Sequence, residues 1–485
     1  MNLKSINKDN LRRAALYVKR NGVKSCFYRA LEGVLEKSEY EASTNSVFDE
    51  IEKKERFELE ASKKFTHNYK ISIVVPVYEP EKEYFIKMAE SVLMQSYSGY
   101  ELCIADASKS DVIEEAVSEL RNTYSEKASA DKLKYKRIKD NKGISENTNE
   151  ALALATGEYV AFLDHDDVLT DNALYEVMEV LEKGIVSQGN SYTNSIKMIY
   201  SDEDKCNSQM TEFFDPNIKP DFNIDLLRSN NYICHFLVVR RSLAHEVNGF
   251  NSEFDGAQDF DFILKCSEKL KNSEIKHINK ILYHWRCHES STAANPESKR
   301  YAYEAGKRAV FEHLKRSGIE AVVEDTEHVG FYRVKYKVDA SQLTDVKILS
   351  FDEYSSMSND ELDSLEESYI MILNDNIKPE NYEFLEEMLG HLLREDVGCV
   401  GGLVIKGGKI ESAGYSFDKS GSLTANFSGL NKHFSGYLHR AKLQRVTDGV
   451  CTDCMMIKKS ALNENKELKA EYKVIYTPYA VFYRK

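Results

Sequence analysis

The strongest indication of fold in this 485-residue chain is the stretch Glu158-Tyr-Val-Ala-Phe-Leu-Asp-His-Asp-Asp167. Its first part, up to Leu163, is an apolar run with the length of a buried strand, and Asp164, Asp166 and Asp167 follow directly. In open α/β sheets, ligands collect beyond the carboxyl ends of the strands. The acidic cluster therefore stands where a ligand site is expected.

Two further strand-like runs precede this stretch, at 71–78 and 100–105. Helical patterns separate the runs. One covers 111–123, and another begins near Ser145, continues through Leu154 and stops before Gly157. Strands that alternate with helices predict an α/β fold, with a mostly parallel sheet covered by helices.

Carboxylates stand at three successive strand ends, because Glu79 and Asp106 follow the first two runs as Asp164 and Asp166 follow the third. Two carboxylates at positions i and i+2 can hold one hard divalent cation and leave coordination positions for a diphosphate. Asp106 could accept a hydrogen bond from a nucleobase. The alternative for the acidic cluster is a turn that caps a helix beginning near Asp171.

Two other segments have two interpretations each. Gly143 precedes a helix N-terminus, where it could let the backbone approach a phosphate or simply serve a turn. The run 202–204, Asp-Glu-Asp, is expected as a charged turn after a strand that ends at Tyr200. That turn could reach a ligand or lie in solvent.

Length and composition exclude several classes of protein. A chain of 485 residues exceeds one hydrophobic core, so we expect two globular units and an accessory segment. The net charge of -14 argues against nucleic acid as a partner. Nine scattered cysteines indicate reduced thiols in the cytoplasm. The apolar runs are strand-sized, so we expect no membrane crossing.

The accessory segment is a helical arm at residues 1–69. Its first part is basic, although the chain as a whole is acidic. The basic residues are Lys4, Lys8, Arg12, Arg13, Lys19, Arg20, Lys24 and Arg29. This asymmetry could favour peripheral contact with anionic lipid at the inner face of the cell membrane, and a solvated helix face is the alternative.

Eight motifs occur in the order seen in one enzyme family: VPVYEP, ELCIADAS, NKGIS, GEYVAFLDHDD, IYSDEDK, NYICHF, GAQDFDF and YHWRCHESST. Over roughly residues 70–335 the chain resembles the family 2 glycosyltransferases, in particular the rhamnosyltransferase-like bacterial branch that builds cell-surface polysaccharides. The resemblance implies a GT-A fold, Mn²⁺ or Mg²⁺, and inversion at the anomeric carbon. It also implies a UDP- or dTDP-linked sugar donor and a glycan or lipid-linked glycan acceptor.

The resemblance also assigns roles to residues. Asp164 and Asp166 match the metal and diphosphate motif, His284 matches a further metal or diphosphate ligand, and Asp259 matches the catalytic base. The residues expected to contact the donor are Pro76, Tyr78, Glu79, Asp106, Gly143, Asp164, His165 and Asp166.

Alternatives remain for these assignments. Asp259 could instead cap a helix at 260–270. His284 and its neighbour His288 could be structural histidines. The family commonly has Glu where this chain has Gln258, and often a second Asp where it has Ala107, which puts the tuning of the base and the nucleoside contacts in doubt.

A domain boundary is expected within about ten residues of 340, which gives a catalytic domain at 70–340 and a second domain at 341–485. The second domain resembles a copy of the first. The copy is degenerate, because Asn374 and Asn376 replace the metal carboxylates and no base motif follows. We expect it to be catalytically silent. It could pack, mediate a homo-oligomer, or guide a glycan with Tyr415 and Tyr437.

Two other functions remain open. A nucleotidyltransferase also places carboxylates around a metal, although 77–80 is not the glycine-rich basic loop that such enzymes usually carry. A carbohydrate-binding scaffold protein without catalysis is the second alternative, and the presence of Asp259 argues against it.

Overall fold

The computed structural model describes residues 18–19, 21–32, 50–129, 131–188, 191–287 and 300–485. Its contacts divide the chain into two compact units. The first unit consists of Val47–Phe222 and Asn231–Ser317, and the second of Met1–Ser46, Asn223–Asn230 and Gly318–Lys485. The units thus divide after Ser317, earlier than the boundary expected near 340, because the strands that follow Gly318 pack with the later part of the chain.

The described residues of the first unit form eleven strands. They are β1 (Ile71–Val77), β2 (Tyr100–Asp106), β3 (Leu133–Arg137), β4 (Tyr159–Phe162), β5 (Val168–Leu169), β6 (Ile185–Gln188), β7 (Ser191–Asn194), β8 (Met198–Asn207), β9 (Phe213–Asn217), β10 (Leu237–Arg240) and β11 (Ile275–Cys287). Eight of them form one sheet in the order β3-β2-β1-β4-β10-β8-β11-β5, and β9 pairs with β8.

This sheet is mixed. β1 runs parallel to β2 and β4, and β11 runs parallel to β8, whereas β10 is antiparallel to both of its neighbours. All seven residues of β1 are buried, as a central strand covered on both faces requires. The predicted α/β class is confirmed, with a larger antiparallel share than the sequence indicated.

The first unit also contains eight described helices, several of which pack on this sheet. They are α2 (Glu50–Ser62), α3 (Lys82–Leu93), α4 (Val112–Thr123), α5 (Ile144–Leu152), α6 (Ala173–Lys183), α8 (Arg241–Glu246), α9 (Gln258–Glu268) and α10 (Arg300–Arg316), numbered with α1 (21–32) and α7 (Ile224–Ser229) of the second unit. In α3, Phe85, Met88, Ala89 and Val92 recur at helical spacing and are buried. The helix expected to continue through Leu154 is shorter, since α5 ends at Leu152.

The helical character predicted for residues 1–69 is present in α1 and α2. Of these two helices, α1 belongs to the second unit and α2 to the first. Several of the basic residues lie outside the described residues, namely Lys4, Lys8, Arg12, Arg13 and Arg20. Among the described residues, no helix has the length and apolar character needed to span a bilayer.

The second unit contains the remaining strands. They are β12 (Ala321–Asp325), β13 (Tyr332–Tyr336), β14 (Val346–Leu349), β15 (Tyr369–Leu373), β16 (Ile377–Pro379), β17 (Val397–Lys406), β18 (Lys409–Ser412), β19 (Tyr415–Phe417), β20 (Leu423–Ala425), β21 (Arg445–Thr447), β22 (Cys454–Lys458) and β23 (Lys473–Arg484). Its later helices are α11 (Ala340–Leu343), α12 (Phe351–Ser356), α13 (Asn359–Ser364) and α14 (Glu383–Leu392). Its main sheet has the order β14-β15-β22-β17-β23-β16.

This order repeats part of the first sheet. The strands β14, β15, β16, β17, β22 and β23 take the places of β1, β4, β5, β8, β10 and β11, in the same chain order. Each pair keeps its direction: β14 and β15 are parallel, β22 is antiparallel to both neighbours, and β23 is parallel to β17. In the fully described range 318–485, β14 is an edge strand, so nothing there corresponds to β2 and β3.

Candidate active site

A pocket of about 670 Å³ opens in the first unit beyond the carboxyl end of β4. Five of the predicted site residues line it: Pro76, Asp164, His165, Asp166 and Asp259. Its wall is completed by Val74, Ile144, Thr148, Phe162, Leu163, Cys234, His235, Leu237, Phe250, Asp255, Gly256, Gln258, Trp285 and Tyr301. The structure thus brings the acidic motif after β4 and the carboxylate of α9 into one cavity.

The carboxylates in the turn after β4 differ in how far they are exposed to solvent. The side chain of Asp164 is 55% exposed, and its Oδ2 lies 3.9 Å from His235 Nε2. Asp167 is buried and accepts hydrogen bonds from the Tyr283 hydroxyl and, at 2.8 Å, from the Arg286 backbone N–H. Asp167 is therefore anchored to β11, whereas Asp164 faces the pocket.

The alternative of a helix cap does not describe this turn. Asn172 is the N-cap residue of α6, and Asp171 forms an ion pair with Arg56 at 2.6 Å. None of the carboxylates between 164 and 167 caps that helix.

Among the described residues, possible metal-ligand atoms of Asp164, Asp167 and His235 all lie within 4.8 Å of one another. His235 lies in the motif NYICHF but was not among the residues predicted for the site. The position of His235 could not be read from the sequence, because it depends on the pairing of β10 with β4. His235 precedes β10, and this pairing brings its imidazole beside the acidic turn.

His235 interacts with a buried ionic network on the side of its ring that faces Glu203. Its Nδ1 lies 3.1 Å from Glu203 Oε2, and Lys219 Nζ lies 3.4 Å from the same oxygen. Burial would raise the pKa of Glu203, but Lys219 and His235 outweigh it and lower that pKa to about 2. Burial would lower the pKa of His235, but Cys234 and Glu203 raise it well above its usual value. The network therefore favours an ionised Glu203 beside a cationic imidazole.

The run 202–204 was expected to form a charged turn. It is neither a turn nor exposed to solvent. All three residues lie inside β8 and are buried. Each carboxylate has a basic partner: Asp202 pairs with His277 at 2.8 Å, Glu203 with His235, and Asp204 with His284. Consecutive charges are tolerated inside this strand because histidines and Lys219 compensate them.

Asp259 is the second residue of α9, whose N-cap is Ala257. It therefore does not occupy the cap position that was the structural alternative. Its Oδ2 accepts a hydrogen bond from Asn231 Nδ2 at 2.7 Å, and Cys234 Sγ lies 3.7 Å from the same oxygen. The carboxylate is thus oriented by the segment that leads into β10 while it lines the pocket.

Tyr78, Glu79, Asp106 and Gly143 lie outside the wall of the pocket. Asp106 is fully buried, and its two oxygens accept from the Ser108 backbone N–H and the Tyr135 hydroxyl, each at 2.8 Å. Gly143 has a φ of 99° at the start of α5, and a Cβ there would come within 2.5 Å of Asp255 Oδ2. The positive φ favours glycine at that turn, and a Cβ there would also displace the Asp255 carboxylate.

Tyr78 and Glu79 follow β1 at the surface. The Tyr78 side chain is 41% exposed. Glu79 Oε1 accepts from the Lys109 backbone N–H at 2.7 Å, which joins the loops after β1 and β2. Their contact with a donor stays a prediction.

His284 lies on β11, outside the pocket wall. Its Nδ1 is 2.5 Å from Asp204 Oδ1, and its ring packs on Phe213 with the centroids 4.6 Å apart. Its role as a metal or diphosphate ligand stays a prediction. His288 lies outside the described residues.

The pocket concentrates negative charge. Desolvation raises the pKa of Asp164, and repulsion from Asp166 and Asp259 acts in the same direction, whereas His235 opposes it. The pKa of Asp167 is raised well above its usual value, first by burial and then by Asp166 and Asp164. A cation placed here would relieve this repulsion.

The strand registers identify the corresponding positions of the second unit. The pair Ala161–Val238 of β4 and β10 corresponds to the pair Met371–Met456 of β15 and β22. Three residues after Ala161 and Met371 stand Asp164 and Asn374, which therefore occupy corresponding positions. The other replacements follow from the same registers: Asn376 for Asp166, Ile377 for Asp167, Val404 for Glu203, Ile405 for Asp204 and Asp453 for His235. The acidic cluster is therefore lost in the repeat.

The counterpart of Asp259 is also missing from the second unit. Between β22 and β23 the chain forms a short 3₁₀ helix at Lys459–Ala461 and no counterpart of α9 in the fully described range 459–472. Asn374 donates a hydrogen bond to Asp453 at 2.6 Å, and Arg484 Nη1 donates to that carboxylate at 2.6 Å. The counterparts of Asp164 and His235 are thus hydrogen-bonded to each other.

The mixed α/β sheet, with an acidic motif beyond β4, has the GT-A fold. Residues 72–247 match the model of glycosyl transferase family 2. This part of the chain therefore matches the family that the motifs predicted. This finding argues against the nucleotidyltransferase alternative.

Similar sequences include proteins of polysaccharide synthesis. An uncharacterised protein of Sinorhizobium fredii, y4gI, is 30% identical over 85% of this chain and 52% of its own length. The O-antigen biosynthesis protein RfbC of Myxococcus xanthus is 31% identical over 65% of this chain and 24% of its own length. The chain thus spans about half of the first relative and about a quarter of the second.

A shorter relative is the Escherichia coli protein WfgD, named as a UDP-Glc:alpha-D-GlcNAc-diphosphoundecaprenol beta-1,3-glucosyltransferase. It is 28% identical over 47% of this chain and 81% of its own length. Among solved structures, TarS 1–349 of S. aureus in complex with UDP-GlcNAc is 18% identical, with a TM-score of 0.39, over 50% of this chain and 66% of that chain.

Proposed function

We propose that the first unit transfers a sugar from a nucleotide-diphospho-sugar to a hydroxyl group of a glycan acceptor in the synthesis of a bacterial cell-surface polysaccharide. The observation that supports this most directly is the convergence of Asp164, Asp166 and Asp259 on one pocket of a family 2 domain. Asp164 and Asp166 are suited to hold a cation that compensates the charge of the diphosphate. Asp259 is suited to accept the proton of the acceptor hydroxyl.

The residues fit a divalent cation. Asp164 and Asp166 provide oxygen donors, which Mg²⁺ and Mn²⁺ prefer, and the donor phosphates would supply further oxygens. When bound, the cation neutralises charge on the departing nucleoside diphosphate. Asp167 is engaged by Tyr283 and Arg286 and keeps the turn in shape. As a cationic imidazole whose Nε2 lies 3.9 Å from Asp164 Oδ2, His235 is suited to contact the diphosphate.

Asp259 serves as the base. It accepts the proton of the acceptor hydroxyl while that oxygen bonds to the anomeric carbon, and the bond from this carbon to the diphosphate breaks on the opposite face. The product is then inverted. Asn231 holds one oxygen of the carboxylate at 2.7 Å and so fixes its orientation toward the pocket.

The names of the relatives favour particular substrates. WfgD is named for a UDP-glucose donor and a diphosphoundecaprenol-linked acceptor, and RfbC for O-antigen biosynthesis. We therefore propose a hexosyl or deoxyhexosyl transfer from a UDP- or dTDP-linked donor to a lipid-linked glycan.

A donor screen tests this proposal. The full chain is incubated with UDP- and dTDP-sugars and Mn²⁺, Mg²⁺ or EDTA, and the released nucleoside diphosphate is measured by chromatography. We expect release from at least one donor, dependent on the cation. Release that is unchanged by EDTA, or equal in Asp259→Asn and wild type in the presence of acceptor, would contradict the mechanism.

A further inference from the structure

Helix α1, residues 21–32, is attached to the second unit by its polar side. Asn21 Nδ2 donates to the Glu327 carbonyl at 3.2 Å, and Tyr28 stacks on His433 with the ring centroids 4.5 Å apart. Glu32 is buried and accepts from the backbone N–H groups of Ser435 and Gly436, at 2.8 and 2.6 Å. These contacts fix which face of the helix points away from the protein.

The opposite side of α1 is apolar and exposed. Val23, Phe27 and Leu31 recur every four residues and therefore form one stripe along the helix. Their exposed fractions are 73%, 63% and 42%. A surface helix of a globular protein normally buries such a stripe and exposes its polar side. In α1 the arrangement is reversed, so the stripe is available to a partner outside the described structure.

Basic residues lie near this stripe. Lys19, which precedes α1, and Lys24, which follows Val23 within it, are both exposed. Residues 1–31 contain eight Lys and Arg residues and one acidic residue, in a chain with a net charge of -14. An exposed apolar stripe with cationic side chains near it is complementary to an anionic bilayer surface, where the apolar groups enter the interface and the cations meet the headgroups. The charge repels a second copy of the same helix, which makes a symmetric pairing of this face unfavourable.

We propose that α1 is an interfacial anchor, which docks the protein on an anionic phospholipid surface through Val23, Phe27 and Leu31. Docking at a membrane would bring the protein to acceptors attached to lipid. The anchor itself stands on the geometry of α1 and does not depend on the proposed glycosyl transfer.

Vesicle co-sedimentation of the full chain tests the anchor, with phosphatidylglycerol/phosphatidylcholine vesicles compared with pure phosphatidylcholine vesicles. We expect binding to the anionic vesicles that weakens with salt, and weaker binding to the neutral ones. Phe27→Ser should lower the partition coefficient at least tenfold. Phe417→Ser is the matched control, because Phe417 is 62% exposed and also lies in the second unit. It should bind like wild type.

Lys24→Glu should weaken binding to anionic vesicles and reduce the effect of salt. Circular dichroism and thermal unfolding of each variant check that the fold is retained, which we expect since the substituted side chains are exposed. Equal binding by wild type and Phe27→Ser would overturn the proposal. A vesicle-free dimer that Phe27→Ser dissociates, seen by light scattering, would also overturn it in favour of a second copy. Donor hydrolysis measured without vesicles reports on the proposed activity separately.

Discussion

Asp259 lies in the first turn of α9 and is held by Asn231 at 2.7 Å. Asp259→Asn should lower turnover by about a hundredfold or more, because an amide cannot take the acceptor proton. Affinity for the donor should change little. Steady-state kinetics and donor titration calorimetry measure the two effects. Asp111→Asn is a control at an exposed position in the same unit and should behave as wild type. A parallel loss of donor affinity in Asp259→Asn would instead indicate a structural role.

At the level of residues, the sequence identified the carboxylates of the pocket better than their surroundings. Asp164 and Asp166 follow a strand that the apolar periodicity locates, whereas Asp259 was assigned through the resemblance to the family. The partnership of Glu203 with His235 and Lys219 could not be predicted, because it depends on the pairing of β8 with β10 and β9. Three consecutive acidic residues predict a solvent-exposed turn when the basic residues that compensate them are distant in sequence.

The elements of the first unit were largely predictable up to β4, where parallel strands alternate regularly with helices. The sequence could not assign α7, which follows β9 of the first unit yet belongs to the second. Asp225 of α7 is buried and pairs with both Nη atoms of Arg394, at 2.5 and 3.1 Å. The charge of Arg394 is the largest influence that lowers the pKa of Asp225 against burial.

Arg394→Ala should therefore lower the free energy of unfolding by about 3–5 kcal/mol, because it leaves Asp225 buried without its main partner. Chemical denaturation monitored by circular dichroism measures this change. Lys337→Ala serves as the control ion-pair variant, because its pair with Glu320 is exposed at 2.8 Å, and its effect should be far smaller. Similar effects of the two variants would show that the buried pair contributes little.

At the scale of the whole molecule, a truncation at the boundary expected near 340 would divide the second unit. A chain that ends at residue 340 would retain α7 but lose Arg394, β21 and the rest of the sheet of the second unit. Leu226 and Leu227 of α7 are buried. We expect residues 1–340 to aggregate or to unfold without cooperativity, as light scattering and denaturation would detect. A monomeric, cooperatively folded fragment would show that α7 does not require the second unit.

The second unit repeats the strand order of the first but not its site chemistry. Asn376 stands where the first unit has Asp166, and no counterpart of α9 is present in 318–485. The sequence indicated both the replacement and the missing base, whereas the matching strand directions required the structure. A catalytically silent role of this unit remains a proposal, and it follows from the loss of the acidic cluster.

The most direct test compares Asp166→Asn with Asn376→Asp in a nucleoside diphosphate release assay with donor and Mn²⁺. Both side chains occupy corresponding positions, and both changes alter one charge while keeping the side-chain size. We expect Asp166→Asn to lose at least a hundredfold in turnover and the dependence on the cation, while Asn376→Asp keeps the wild-type rate. Wild-type turnover in Asp166→Asn, or a rate governed by residue 376, would contradict a single active site in the first unit.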